Sequence, residues 1–308
     1  MGINSQDRCA RYEEAVQLLP SRLRRIAESL PPEEKERVEE LRLRVGENMT
    51  ALCGGAERTL GGTDAAVKPD DLETLCNIVT DFSRYAAADT LRQGYLTAPG
   101  GFRVGVCGTA VTKNGENTLL KDFSSMCLRI SREQVGLAVP VMREAYPDGR
   151  FVSTLLIAPP GYGKTTLLRD FIRNLSDGTD TLAPRRVALV DERGEIACMR
   201  GGRAQMNVGV HTDVLDGVPK SQGMEMLLRT MNPEVIAVDE ITVYSDLRAI
   251  ARCANCGVSL LATVHAANAE ELLTRPLFRK LTQMRVFRRA VCIGMENGER
   301  TYKTEEMP

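Results

Sequence analysis

The segment Ala158-Pro-Pro-Gly-Tyr-Gly-Lys-Thr-Thr166 has residue types and spacing suited to holding a polyphosphate. A phosphate loop (Walker A) asks for Gly, four residues, then Gly-Lys-Ser/Thr. Ala158 stands at the first glycine, and the rest of the pattern is met. Gly161 and Gly163 let the backbone curl so that N–H groups point inward at phosphate oxygens. The residues after Gly163 read as a helix, whose positive N-terminus faces the same place. In such a loop Lys164 reaches the β- and γ-phosphates and Thr165 ligates Mg2+. The ATP-binding set is then Pro160, Gly161, Tyr162, Gly163, Lys164, Thr165 and Thr166. Lys164 is expected to face the surface.

A second feature is the apolar run Val235-Ile-Ala-Val238, which stops at Asp239-Glu240. A buried strand delivers carboxylates to the ligand edge of an open α/β sheet in this way. Asp239 is the expected Mg2+ partner and Glu240 the expected general base on water. An Asp-Glu pair favours NTP hydrolysis over phosphoryl transfer to a metabolite. A third acidic strand end, Val187-Ala-Leu-Val-Asp191-Glu192, places Asp191 or Glu192 beside the metal or the water. His265 follows the apolar strand Leu260–Val264, so Thr263 and His265 could face the γ-phosphate. Cys253-Ala-Asn-Cys256 is a lone pair of thiols, and a zinc site needs two more ligands.

These residues need a sheet to position them. Apolar strands are expected at Ser153–Ile157, Val187–Val190, Val235–Val238 and Leu260–Val264. Helices fall between, at Thr165–Leu175, Gln222–Met231 and Asp246–Cys256. Strands alternating with helices imply a parallel sheet covered on both faces. Arg285–Tyr302 reads as a hairpin around Asn297-Gly298. The N-terminal half has another rhythm. Pro31-Pro32 opens a charged run, Glu33 to Arg44, that reads as a solvated helix face. Leu41, Leu43 and Val45 alternate with polar positions, a strand signal. Leu72, Leu75, Val79 and Phe82 recur at helical steps. Short strands Tyr95–Thr97, Phe102–Val106 and Met126–Ile130, with a turn at Asn114-Gly115, suggest a small β-meander. Three segments follow: an α+β domain over 1–135, a helical linker over 136–150, and a P-loop domain over 151–308.

Composition narrows the function. The chain has 308 residues, 40 Lys plus Arg, 41 Asp plus Glu, and a net charge of −1. Residues 1–150 carry 20 basic and 22 acidic side chains, so neither half is a basic module for nucleic acid. Aromatics are 5% and Trp is absent, which disfavours a base-stacking platform. No apolar stretch approaches the roughly 20 residues of a spanning helix. Nine scattered cysteines and no visible secretory signal suggest reduced thiols in a cytosol.

The order of Walker A, Asp191-Glu-Arg193, Asn232–Glu240 and Leu261–His265 resembles the ATPases of type II and type IV secretion systems and type IV pili. Those carry Walker A, an Asp box, Walker B and a His box in that order. More closely, the chain is similar to the stage III sporulation protein AA family of endospore-forming bacteria. The likeness lies in Gln93–Thr97, Gly100–Gly105, Leu128–Ile130, Pro159–Thr166, Asp191–Glu195 and Thr212–Asp216, and spans roughly residues 20–300. The fold so implied is α/β, a RecA-like P-loop NTPase sheet with helices on both faces, preceded by a smaller α+β N-terminal domain. The resemblance also implies a hexameric, Mg-dependent ATPase in the mother-cell cytoplasm. It would dock on membrane-embedded channel or secretion proteins linking mother cell and forespore. Ala158, Pro159 and Pro160 depart from the usual secretion-ATPase loop, and Asp239 stands where those ATPases often show Gly.

In sequence no arginine adjoins the phosphate loop; Arg169 is nearest, on the following helix. The arginine that P-loop enzymes use to neutralise transition-state charge is therefore sought elsewhere, at Arg103, Arg129 or Arg132. The resemblance places N-terminal arginines of secretion ATPases near the nucleotide. Catalytic candidates are Glu240, Glu192, His265, Arg103 and Arg129. Two other readings stand beside the motor. One is a nucleotide-gated scaffold with little turnover. The other is a DNA-directed RecA-like ATPase, which the balanced charge argues against.

Overall fold

The computed structural model describes residues 5–62, 65–84, 87–113, 116–296 and 299–307. It divides into two units, Met1–Glu133 and Gln134–Pro308.

The first unit begins with α1 (Ser5–Val16), α2 (Ser21–Glu28) and the single turn α3 (Pro32–Lys35). Next come β1 (Val38–Arg44), β2 (Thr50–Cys53), β3 (Ala56–Thr59), α4 (Pro69–Val79) and α5 (Ala88–Arg92). It ends with β4 (Tyr95–Thr97), β5 (Arg103–Lys113) and β6 (Glu116–Arg129). The strands form one antiparallel sheet in the order β3-β2-β1-β6-β5-β4. Alternation sorts its faces. Leu41, Leu43, Val104, Val106, Met126 and Leu128 are buried in one core with Tyr12 and Leu19 of the N-terminal helical region and Leu72 and Leu75 of α4.

Several expectations change here. Glu33–Arg44 is not one helix: α3 spans one turn and the strand starts at Val38. Glu33 and Glu34 sit on α3, while Glu40, Arg42 and Arg44 alternate with buried Leu41 and Leu43 along β1. Phe82 lies beyond α4, 79% exposed with φ of 58°, so it does not belong to that helix's apolar stripe. Met126–Ile130 is mostly the end of a 14-residue strand, and β1 pairs with β6, which a meander does not do. The expected turns Asn114-Gly115 and Asn297-Gly298 lie outside the described residues.

The second unit opens on α6 (Val139–Met142) and short 3-10 turns. Ala138, Val141, Met142, Ala145 and Tyr146 of this stretch are buried in its core. Then follow β7 (Thr154–Ala158), α7 (Lys164–Asp177), β8 (Val187–Asp191), β9 (Thr212–Asp216), α8 (Lys220–Thr230), β10 (Val235–Val238), α9 (Tyr244–Asn255) and β11 (Ser259–His265). The last elements are α10 (Ala269–Thr274), α11 (Pro276–Gln283), β12 (Arg289–Glu296) and β13 (Glu299–Glu306). The sheet order is β13-β12-β7-β11-β10-β8-β9, parallel except for β12 with β13. The strand β9 and the helices α10 and α11 are additions to the expected elements.

The pleat sends neighbouring residues to opposite faces. Leu156 and Ala158 join a core with Leu167, Phe171 and Leu175 of α7. Leu155 and Ile157 join another with Met224 of α8 and Leu247 and Ile250 of α9. The sheet is thus covered on both sides, as its apolar runs require. The four strands β7, β8, β10 and β11 point the same way, so their C-terminal ends share one edge.

Packing is tight where α8 meets β8. A Cβ on Gly223 would lie 2.5 Å from Val190 Cγ1. Helix propensity alone favours Gly223→Ala by about 1 kcal/mol. Overpacking should reverse that, with a net loss of about 1–3 kcal/mol in urea unfolding. In a Val190→Ala background the same change should cost much less. An equal cost in both backgrounds would mean that the Val190 contact is not the cause.

Candidate functional site

The buried strand β7 runs into residues 159–163, and α7 starts at Lys164. Gly161 and Gly163 have φ of 82° and 85°, the left-handed region that glycine enters without cost. Lys164 is buried, 6% exposed, not surface-facing as expected. Its ammonium donates to Ala158 O at 2.9 Å and Pro159 O at 3.1 Å, and meets His265 Nδ1 at 2.7 Å. Burial pushes its pKa below the usual lysine value, and Asp239 and Glu240 pull it partly back.

The expected metal pair is together. Thr165 Oγ1, one residue into α7, lies 3.3 Å from Asp239 Oδ2 at the end of β10. Thr263 of β11 holds the other oxygen, its Oγ1 donating to Asp239 Oδ1 at 2.6 Å. Thr263 is fully buried, so it positions Asp239 and does not face outward as expected.

Glu240 follows with φ of 29°, which costs a non-glycine residue about 1–3 kcal/mol. Two bonds compel that turn. Its N–H donates to Thr263 Oγ1 at 2.8 Å and to Asp239 Oδ1 at 3.0 Å. The carboxylate swings out between His265 Nε2 at 3.3 Å and Arg193 Nη1 at 3.4 Å. An ammonium only donates, so His265 Nδ1 accepts from Lys164. The Nε2–H tautomer then donates to Glu240, and Lys164, His265, Glu240 and Arg193 form one chain of contacts.

The third acidic strand end does other work. Asp191 is 1% exposed and accepts N–H groups of Glu195, Ile196 and Ala197 at 2.9–3.1 Å. Burial raises its pKa; those N–H bonds oppose the rise and nearby Asp239 adds to it. Its carboxylate folds the 191–197 turn. Glu192 pairs with Lys220 of α8. Neither acid is joined to the Asp239–Glu240 pair by a hydrogen bond. Arg169 donates to the carbonyls of Glu195 and Ile196, tying the same turn to α7. The residue of this turn that does reach the site is Arg193, which the sequence marks only as part of the Asp191-Glu-Arg193 likeness.

Pro160 and Gly161 are exposed, while Tyr162 and Thr166 are half-buried. Arg300, unmarked by any motif, lies against Gly163: a Cβ there would be 2.7 Å from its Cζ. Arg103 and Arg129 stand opposite each other on β5 and β6 of the first unit. Arg103 covers the Tyr95 ring at 4.1 Å, and Arg129 pairs with Glu40 at 3.3 Å. Arg132 donates to Lys35 O at 3.1 Å. Cys253 is buried and Cys256 exposed; among the described residues no cluster of three His, Cys, Asp or Glu could hold a metal.

The family model for sporulation stage III, protein AA matches residues 9–304. The chain belongs to that family. Stage III sporulation protein AA of Bacillus subtilis (strain 168) is 34% identical over 289 residues, covering 94% of this chain and 92% of that protein. Among solved structures, the pilus retraction motor PilT with bound ADP has a TM-score of 0.60 at 15% identity, covering 88% of this chain and 80% of that one. The Legionella pneumophila ATPase DotB has a TM-score of 0.56 at 18% identity, covering 87% and 76%. These likenesses establish the fold of this family member as the RecA-like type of secretion ATPases, as the resemblance implied.

Thr263 links Asp239 to the Glu240 backbone, which predicts a cost for its removal. Thr263→Val should lower stability by about 1–3 kcal/mol, because the Glu240 N–H loses an acceptor and Asp239 a donor. Thr263→Ser keeps the hydroxyl and should lose under about 1 kcal/mol. Equal unfolding midpoints for Val and wild type would remove Thr263 from this role.

Proposed function

We propose that this chain is a Mg-dependent ATPase of the secretion type that works as a ring of identical subunits, and that it powers or assembles a channel between mother cell and forespore. The observation that carries the reading is the meeting of the phosphate loop, the Thr165–Asp239 pair and Glu240 at one edge of a parallel sheet. Membership of the sporulation family supports the setting. No described helix is long and apolar enough to cross a membrane; the proposed partners are membrane-embedded channel or secretion proteins.

The residues fit the nucleotide. The N–H groups from Gly161 onward and the start of α7 would hold phosphate oxygens. Lys164 would exchange its carbonyl partners for the β- and γ-phosphates. Thr165 and Asp239 would hold Mg2+, which supplies positive charge to the phosphate oxygens when bound. Glu240 would take the proton of the attacking water, its carboxylate aimed by His265 and Arg193. Arg103 and Arg129 are proposed to reach the nucleotide from the first unit of the same or a neighbouring subunit. Nucleic acid is not an expected partner.

Lys164→Ala should abolish ATP binding or hydrolysis while the far-UV CD spectrum stays that of wild type; melting should fall modestly, because the Ala158 and Pro159 carbonyls lose their donor. Glu240→Gln should bind Mg-ATP yet turn over about 10²–10⁴-fold more slowly. Wild-type turnover by Glu240→Gln would end the assignment of Glu240 as base. Stimulation of wild type by DNA would favour the DNA-directed reading.

If Arg103 or Arg129 acts across subunits, Arg103→Ala or Arg129→Ala should lower turnover by up to about 10³–10⁵-fold with ATP affinity nearly intact. Specific activity should rise with protein concentration as rings form. Mixing an arginine variant with Lys164→Ala should restore some of the activity. Concentration-independent hydrolysis without rescue would refute action in trans.

A further inference from the structure

The phosphate loop of this chain has N–H donors only from Gly161 onward. Positions 159 and 160 are both proline, so two of the five residues between β7 and α7 bring no N–H group. Fixed positive charge near the loop would add to those donors.

The C-terminal hairpin brings such a charge. The strand β12 runs parallel to β7, with Cys292 level with Ile157. By continuation Ile293 is level with Ala158, where β7 ends, and β12 goes on to Glu296. Three further residues at about 3.3 Å each carry the hairpin roughly 10 Å past the strand end. It therefore overhangs the loop that β7 feeds. On the return strand β13, Arg300 stands opposite Met295. Its guanidinium occupies the space a side chain at Gly163 would need. An ideal Cβ there would lie 2.7 Å from Cζ and Nη2 and 3.0 Å from Nε. The group is fixed from behind, since Nη1 donates to Gln134 Oε1 at 2.7 Å. Gln134 is uncharged, so this bond orients the guanidinium without neutralising it.

We propose that Arg300 is a nucleotide-positioning residue of the same subunit: a cation, held by Gln134 against Gly163, that braces the phosphate loop and adds positive charge beside its N–H donors. The inference rests on the reading of the loop as a nucleoside triphosphate site. It assigns Arg300 to ground-state binding, which separates it from Arg103 and Arg129, placed above in turnover. It also explains why position 163 takes glycine on two counts, the φ of 85° and the guanidinium in the Cβ space.

The test compares wild type, Lys164→Ala, Arg300→Gln, Arg300→Lys and Gln134→Ala. A fluorescent ATP analogue with Mg2+ is titrated into each at low and at moderate salt, and melting temperatures are recorded alongside. Arg300→Gln keeps an amide that can bond to Gln134 but removes the charge. It should weaken analogue binding about 10–100-fold, the scale of one well-placed charge, and flatten the salt dependence. Its melting temperature should stay near that of wild type. Arg300→Lys should recover most of the affinity, and Gln134→Ala should lose less than Arg300→Gln. Wild-type affinity and salt dependence in Arg300→Gln, with binding lost in Lys164→Ala, would overturn the role of Arg300 and leave the nucleotide reading standing. An Arg300→Lys variant as weak as Arg300→Gln would also overturn it, because charge would not be the cause. Unchanged binding in Lys164→Ala would overturn the nucleotide reading itself.

Discussion

Parallel pairing of β7, β11, β10 and β8 aligns the ends of four strands, and everything in the site hangs from those ends. Ala158 is level with His265, and Val238, one residue before Asp239, is level with Ala262 and Val190. Each strand is buried on both faces, so its side chains are consumed by packing until the sheet stops. The first ionisable side chains come at or just past the strand ends: Lys164 of the phosphate loop, Asp191, Asp239 and His265. A slip of one residue in any strand would turn its apolar set to the wrong face. The burial of Leu155 to Ile157 or of Ile236 to Val238 therefore also fixes where the carboxylates arrive.

Within that edge, Thr263 joins two strand ends through one hydroxyl. It donates to Asp239 and accepts from the Glu240 N–H. The backbone turn at Glu240 has a positive φ because of this clamp, and the carboxylate is thereby aimed at His265 and Arg193. Asp191 has a matching role on the neighbouring strand. It gathers three N–H groups and so shapes the turn from which Arg193 projects. Two buried groups that are themselves unavailable to a ligand thus set the open carboxylate and the arginine beside it.

Much of this is legible in the sequence where the chemistry is local. The strand, the glycine-bearing turn and the helix over 154–177 are legible because their apolar run, two glycines and helical stripe lie within a few residues of one another. Val235–Val238 is legible because an apolar run ending in two acids has few other uses. What escapes depends on distant pairing. Arg300 meets its partner Gln134 across 166 residues, through the register of β12 on β7, and no motif encodes that. Asp191 misleads because a carboxylate at a strand end serves a metal or a turn equally well. The deciding N–H groups belong to residues 195–197. The charged run Glu33–Arg44 suggests a helix by composition, yet Leu41 and Leu43 set a two-residue period that the packed sheet enforces. The edge strand Thr212–Asp216 escapes because an exposed edge needs no apolar run.

The donor count on Lys164 ties the site together. An ammonium has three N–H groups, and here all three have partners: Ala158 O, Pro159 O and His265 Nδ1. A phosphate oxygen bound by Lys164 must displace at least one of them. The two carbonyls belong to the loop itself, so giving them up loosens its N-terminal arm at the prolines. Giving up His265 removes the donor on Nδ1 while Nε2 still faces Glu240. The imidazole then loses the constraint that set its tautomer, and the hydrogen bond it makes to Glu240 is free to change. Occupation of the phosphate loop and the environment of the carboxylate 3.3 Å from His265 are thus coupled through one ring. In this arrangement one imidazole contacts both lysine and glutamate, so the surroundings of the two side chains cannot be altered independently.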